Sequence, residues 1–437
     1  MNLMLSAMLL LIICLSVISD TVKSDERMLR HRLERRYLDP VYPDKYRVGY
    51  FLQVSVGTPA SVPLQLTFDT GSSNLAVDAR RCSGCVGSER YSPASSKSSV
   101  MYPCTESFPQ HCQTALNPAA LKPSLVCNNT WHICEFAEKF VDSSGWDAAA
   151  VSDIVTLADS NQTTIAQFGA IFFMDQPDFG IDIDGISGWG YASNCAFKQT
   201  LWDSLRHSLS LPDVFSSCMS WSSGVLSLGK ADPTLFIGHN LQYTPIISSH
   251  GYFGVDLLAI RIVPLEDLHA SITVPIRRNP ADKVGPIVDT GSTFIHLDQF
   301  TFSQVSSALQ TLCNRFTWPA LCNCTGPDNC WFTASCLVIS PEQLAAWPLI
   351  EFIFAPLSNL TVSPIVRIPS FGWMHPGSNP PNKQIWCTAL VPGSNASNIN
   401  LGDPFSRSTF ISYERNLNRL GFAPPRVSVC GDPWGLL

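Results

Sequence analysis

Apolar and polar positions alternate through Tyr50-Phe51-Leu52-Gln53-Val54-Ser55-Val56 and again through Leu64-Gln65-Leu66-Thr67-Phe68, with Gly57-Thr58-Pro59 between the two runs. Period two on both sides of a Gly-Pro turn predicts strand, turn, strand, so Asp69 stands at the end of a strand. A different period governs 301–316, where Phe302, Val305, Leu309, Leu312 and Phe316 share one helical face. Thr301 and Gln304 have the spacing of a capping box, and the helix is read as core packing. A matching helical stretch, Leu201-Trp202-Asp203-Ser204-Leu205, precedes Leu211-Pro212-Asp213-Val214-Phe215, and Leu235-Phe236-Ile237 reads as a strand after the Gly229 turn.

The chain also repeats itself. Phe68-Asp69-Thr70-Gly71-Ser72-Ser73 recurs 220 residues on as Val288-Asp289-Thr290-Gly291-Ser292-Thr293. Gly188 lies 119 residues after Asp69 and Gly402 lies 113 after Asp289, each behind an apolar residue nearby. Self-similarity at this spacing predicts two related lobes, residues 46–232 and 233–437, with the boundary near Lys230 to Pro233. The 32 prolines, 26 glycines and 14% charged residues suit a mainly β body with many turns and argue against a helical bundle.

Charge and cysteine narrow the compartment and the partners. Net charge is −7 over 437 residues, and the one basic cluster is N-terminal, so no nucleic-acid footprint is present. Residues 1–19 are uncharged, centre on Leu9 to Ile13 and end in small Ser19, which reads as a signal peptide; an uncleaved anchor is the alternative. Leu344 to Pro356 is short and interrupted by Pro348 and Glu351, so no membrane span is expected in the mature chain. Sixteen cysteines, less Cys14 in the leader, leave fifteen, which predicts a disulfide framework with at least one cysteine outside it. Cys82 and Cys85 are read as part of that framework rather than as zinc ligands, and no metal or cofactor is expected. Sequons at Asn128, Asn161, Asn323, Asn359 and Asn395 fit a glycosylated lumenal protein. Residues 20–45 open with a basic, helix-prone segment carrying Arg35-Arg36; it reads as a short propeptide covering an acidic cleft, or as a solvated tail.

The paired motif carries the chemistry. Hydrolysing an amide without a metal or covalent nucleophile needs a base for water and an acid for the leaving nitrogen, and two carboxyls sharing one proton supply both. Asp69 and Asp289 are the candidates. Thr70 and Thr290 would brace the loops through their hydroxyls, Ser72 and Ser292 would bond the outer carboxylate oxygens, and Gly71 and Gly291 would let backbone approach carboxylates and substrate.

FDTGSSNLAV, VDTGSTFIHL, IDGISGWGY and NLGDPFSRSTFISYERNLNRLGFA resemble the motifs of the pepsin-like aspartic proteases, from about Tyr46 to about Pro425. The resemblance implies a bilobal fold, two related β-lobes with an active-site cleft between them, closed by a hairpin flap over a bound peptide. It places Thr293 beside the second catalytic loop as a substrate contact and suggests a Cys336–Cys387 bridge; a Cys218–Cys430 bridge is a guess from position. Departures from the family are visible. Ala76 replaces the usual tryptophan, as in the β-secretase branch, which carries a tryptophan in the flap instead. Here the flap would run from Phe140 to Trp146, with Phe140 or Val141 in the tyrosine slot and Trp146 as cover or as ordinary hairpin packing. Ser187 and Asn400 stand where the family has apolar support residues, and neither is expected to touch the reacting atoms. The cysteine-rich stretch holding Cys104, Cys112, Cys127 and Cys134 resembles the insert of some plant and apicomplexan members.

The implied activity is that of a secreted or endolysosomal aspartic endopeptidase, acid-optimal and monomeric, acting on peptides or proteins. The alternative is a catalytically impaired pepsin-like glycoprotein that binds peptides or proteins.

Overall fold

A computed structural model describes residues 29–38, 47–85, 90–104, 112, 126–128, 132–140, 144–158, 160–175, 183–220, 223–238, 240–247, 251–277, 284–322, 336–376, 385–393 and 399–430. The leader 1–19 and Val141 lie outside this set. The fold is mainly β, as expected. The elements that position the site are, in the first half, β1 (Leu29–Leu38), β2 (Arg47–Val56), β3 (Leu64–Asp69), β4 (Leu75–Ser83), β5 (Ile133–Lys139), β6 (Gly145–Leu157), β7 (Gln162–Asp175) and β8 (Gly185–Gly188). Helix α1 (Leu201–Ser208) and strands β9 (Val214–Met219) and β10 (Ser223–Leu228) complete it. In the second half they are β11 (Ile287–Val288), β12 (Ile295–Leu297), helix α2 (Gln299–Cys313), β13 (Asn400–Leu401), β14 (Phe410–Glu414) and β15 (Arg419–Ala423).

The sequence repeat is a topological repeat. Strand β8 runs parallel to β3, with Gly188 opposite Asp69, and antiparallel to β4, with Ile186 opposite Ala76. Strand β13 does the same in the second half, parallel to β11 with Leu401 opposite Val288 and antiparallel to β12 with Ile295 opposite Leu401. Each Asp-Thr-Gly loop therefore follows a strand paired in parallel with the strand that contains or leads into the later glycine. Gly188 allows that closeness, since a Cβ there would come within 2.6 Å of the Ser73 and Asn74 amides. A Cβ on Gly402 would overlap the Ser292 and Phe294 carbonyl oxygens.

The halves are joined by a shared sheet. Strand β9 pairs antiparallel with both β10 and β14, bringing Val214 opposite Glu414. Beneath the first catalytic loop an aromatic column crosses the junction: Trp189 stacks on Trp202 at 5.8 Å and meets Phe215 at 5.1 Å, and Phe215 stacks on Tyr413 at 4.6 Å. Such offset and edge contacts add to the area term that holds the core. At the column's edge Arg415 donates to Asp203 at 3.0 Å and lies 4.6 Å over the Tyr191 ring. Burial pushes the Asp203 carboxyl up, but Arg415 and the Thr200 amide and hydroxyl outweigh it and hold the group below the usual carboxylate value.

Three local expectations need correction. Residues 29–38, read as helix-prone, form strand β1, paired with β10 and β2. Pairing on both edges overrides the helix propensity of its charged residues. Helix α2 is capped by Asp298, whose carboxylate accepts from the Thr301 amide at 3.0 Å, so it begins before Thr301. Its core face is as expected, with Phe302, Val305, Leu309 and Leu312 buried. Leu235-Phe236-Ile237 makes one bridge, Phe236 to Pro425, and no strand; Leu235 and Phe236 pack instead beside the Cys218–Cys430 disulfide.

Six disulfides join described cysteines: 82–85, 104–127, 112–134, 218–430, 313–322 and 336–387. The last and the Cys218–Cys430 pair match the sequence reading. Cys195 is the free one among the described residues, buried and donating toward the Asn74 side-chain oxygen at 3.3 Å. Burial pushes its thiol pKa well up, so it is an inert neutral thiol at any ordinary pH.

Candidate active site

The two Asp-Thr-Gly loops interlock. The Thr70 amide donates to Thr290 Oγ1 at 3.0 Å and the Thr290 amide donates to Thr70 Oγ1 at 3.1 Å. Each hydroxyl then donates across to the strand before the opposite aspartate, Thr70 to the Val288 carbonyl at 3.0 Å and Thr290 to the Phe68 carbonyl at 2.7 Å. Four buried bonds thus fix the two loops relative to each other. Threonine suits the task because one hydroxyl both accepts and donates.

This grip sets the carboxyls face to face. Asp69 Oδ1 accepts from its own Gly71 amide at 2.7 Å, and Asp289 Oδ1 from Gly291 at 2.9 Å. A Cβ on Gly71 would fall on the Asp289 carboxyl, and one on Gly291 would fall on the Asp69 carboxyl. Both aspartates are buried, at 5% and 9% exposure, while Gly291 beside them is exposed. Burial first, and then the charge of Asp289, raise the Asp69 carboxyl well above the ordinary value; the Gly71 amide and the nearby Ser72 only partly offset them. Asp69 thus holds a proton more tightly than an ordinary aspartate.

The outer oxygens are treated differently in the two halves. Ser292 donates to Asp289 Oδ2 at 3.0 Å. Ser72 is buried near Asp69 and lowers its pKa somewhat, yet its hydroxyl does not reach a well-formed hydrogen bond. Asn400 supplies the contrast: its amide nitrogen lies 2.6 Å from Asp289 Oδ2 and 2.8 Å from Ser292 Oγ. The expectation that Asn400 stays away from the reacting atoms is therefore overturned. Ser187 keeps its distance, accepting from Trp189 Nε1 at 2.9 Å.

The hairpin proposed as the flap exists, built from β5 and β6 with Glu138 opposite Trp146. Phe140 is half-buried at its turn, where its amide donates to the Ser144 carbonyl at 2.9 Å. Trp146 does not line the cleft. It is 2% exposed, meets Phe136 edge to face at 5.2 Å and shares a buried cluster with Ala76, Ile171, Met174 and Ile186. A small residue at position 76 and an indole at 146 thus fill one compartment of the core together. Replacing Trp146 by alanine is expected to cost about 3–5 kcal/mol of stability. Denaturant unfolding measures this; a raised KM with unchanged unfolding would instead mark Trp146 as a substrate contact. Thr293 stands half-buried on the second loop, beyond the interlocked residues.

Other residues near the pair carried no sequence signal. The Tyr252 phenol is pushed up by burial and feels both aspartates. His296 on β12 is lowered by burial, with Asp289 pulling the other way. Asn74 donates to Glu138 of β5 at 3.1 Å and accepts from the Ala196 amide at 2.8 Å, linking the first loop to the flap strand.

The family model for eukaryotic aspartyl proteases matches residues 142–425, and that for the xylanase inhibitor N-terminal domain matches residues 50–230. Renin of Echis ocellatus is 26% identical over 389 residues, covering 86% of this chain and 80% of its own. Chymosin of Camelus dromedarius is 24% identical over 390 residues, covering 86% and 80%. Plasmepsin V of Plasmodium falciparum is 25% identical over 199 residues, covering 44% of this chain and 31% of its own. The matched family spans well over half the chain, and the chain belongs to the pepsin-like eukaryotic aspartyl proteases.

Proposed function

We propose that the protein is an active aspartic endopeptidase of acid optimum. The observation that supports it best is the mutual hold of the two loops, which presses each carboxyl against the other loop's glycine. Asp69 holds the proton and Asp289 is the ionised partner. Asp289 takes a proton from a water as its oxygen attacks the peptide carbonyl carbon, while Asp69 gives its proton to the carbonyl oxygen. Collapse of the resulting diol passes a proton to the nitrogen as the C–N bond breaks. Thr70 and Thr290 fix the geometry, Ser292 steadies the Asp289 oxygen, and Gly71, Gly291, Thr293 and Phe140 face the substrate. Peptides or proteins are the substrates, the working unit is the monomer, and six disulfides favour a secreted or endolysosomal setting.

The pH dependence follows from the shared proton. The singly protonated pair is lost at high pH, when Asp69 ionises, and at low pH, when both carboxyls are protonated. Cleavage of an unfolded protein across roughly pH 3 to 7 is expected to peak on the acid side and to stop with a statine-type inhibitor. Folded protein that binds the inhibitor and cleaves nothing would favour the impaired binder, a reading motivated by the lack of tyrosine between Phe140 and Trp146.

A further inference from the structure

We propose that Asn400 is a positioning residue of the aspartate pair: its side-chain amide holds Asp289 as the ionised member and so extends the enzyme's working range toward lower pH. The inference rests on the endopeptidase reading of the site and adds the regulation of its proton. Its basis is a closed triangle of polar atoms. Asn400 Nδ2 donates to Asp289 Oδ2 at 2.6 Å and to Ser292 Oγ at 2.8 Å, and Ser292 Oγ donates to the same Asp289 oxygen at 3.0 Å. With the Gly291 amide on Oδ1, donors reach both oxygens of Asp289. Asp69 has its Gly71 amide and a Ser72 hydroxyl that falls short of a well-formed bond. Donors to a carboxylate favour its charged form, so the asymmetry places the charge on Asp289.

The backbone places Asn400 for this. In β13 the neighbouring Leu401 is fully buried, and alternation along the strand sends Asn400 to the opposite face. Strand β13 lies parallel to β11, which leads into Asp289, with Asn400 opposite Ile287. The amide's orientation follows from its neighbours: turned over, its oxygen would face an ionised carboxylate oxygen. Its own Oδ1 has no hydrogen-bond partner among the described residues, so the polar side chain is held by the Asp289 side alone. A side chain selected only for filling space would have no reason to bury that oxygen.

The titratable groups around the pair come from several elements. His296 on β12 and the phenols of Tyr252 and Tyr413 face Asp289, Asp69 faces it from the other half, and Glu138 acts through Tyr252. All of them remain, and none is added, in Asn400→Leu, so a change in pH profile on that substitution belongs to the lost donor.

The test is Asn400→Leu, of similar size, which removes the donor and adds no titratable group. In the Leu variant the acidic limb of kcat/KM is expected to move up by about one pH unit, a roughly tenfold loss at the acid edge, with the basic limb in place. Binding of a statine-type peptide, followed by calorimetry across the same pH range, should show the same displacement and does not depend on turnover. An acidic limb shared with the natural protein, or a loss equal at every pH, overturns the proposal. Natural protein that cleaves nothing refutes the endopeptidase reading instead, and the inhibitor-binding profiles still decide the role of Asn400.

Discussion

Asp289→Ala and Asp69→Ala are each expected to reduce peptide cleavage by about four orders of magnitude or more, in protein that folds and keeps its disulfides. The size follows from what is lost. One carboxyl cannot be base for water and acid for the carbonyl oxygen at once, and general acid–base catalysis alone accounts for roughly 10²–10⁴ in rate. Loss of either member also ends the shared-proton state, so the two effects are not separable and the double variant should be no worse than the single ones. Folding should survive because the cross-loop bonds are made by Thr70 and Thr290, not by the carboxyls. Removing a buried like-charged group has a stabilising side, as Asp69 is held above its ordinary pKa by burial and by Asp289. Its folded-state pKa is the higher one, so its contribution to stability is present at low pH and lost as pH rises; the Ala variant should gain relative stability near neutrality. The measurement is kcat/KM on a peptide substrate for all three variants, with thermal unfolding at acid and neutral pH. Cleavage within tenfold of the natural protein in either single variant would sink the assignment of the pair.

The parts of this site legible in the sequence are those in which chain-local chemistry repeats. Strand alternation ending at Phe68, an Asp-Thr-Gly turn and its second copy fix two loops, and the later glycines at 188 and 402 mark the strands that pair in parallel with those leading into the loops. The pairing of Thr70 with Thr290 needs only that the copies meet. Asn400 was not legible in the same way, because a polar residue ahead of Leu401 says nothing about what lies 111 positions earlier. The parallel register of β13 on β11 is what brings it to Asp289, and register is a tertiary fact. Which of its two readings Trp146 takes was not legible for a related reason. An aromatic at the start of a hairpin strand can face the cleft or the core, and the choice was made by the small Ala76 in the adjoining compartment. In β1 the local signal pointed to helix, but the unpaired edges of β10 and β2 were available, and pairing prevailed. Asp298 and Thr301 are both competent caps, so a sequence pattern that allows either leaves the helix start ambiguous by one turn.

Gly71→Ala should disable the site almost as completely as loss of an aspartate, although it removes no functional group. A Cβ at position 71 would occupy the Asp289 carboxyl, and the same substitution at Gly291 would occupy that of Asp69. The obstructing atoms belong to a side chain that has little freedom, since Asp289 is held by Gly291, Ser292 and Asn400. Either the carboxyl leaves its donors or the loops separate against the threonine bonds. Displacements of about 1 Å at a reacting group cost on the order of 10² in rate, and the overlap here demands at least that much. We expect kcat to fall by 10² or more with a modest loss of stability, because the methyl can push the carboxyl toward the open cleft without breaking the core. Gly49→Ala is the control, since a Cβ at position 49 meets nothing within 4 Å. The reciprocal Gly291→Ala should behave like Gly71→Ala if the two loops are as closely interlocked as their hydrogen bonds require. Near-natural turnover in either active-site variant would mean that the carboxyls stand farther apart than one shared proton permits.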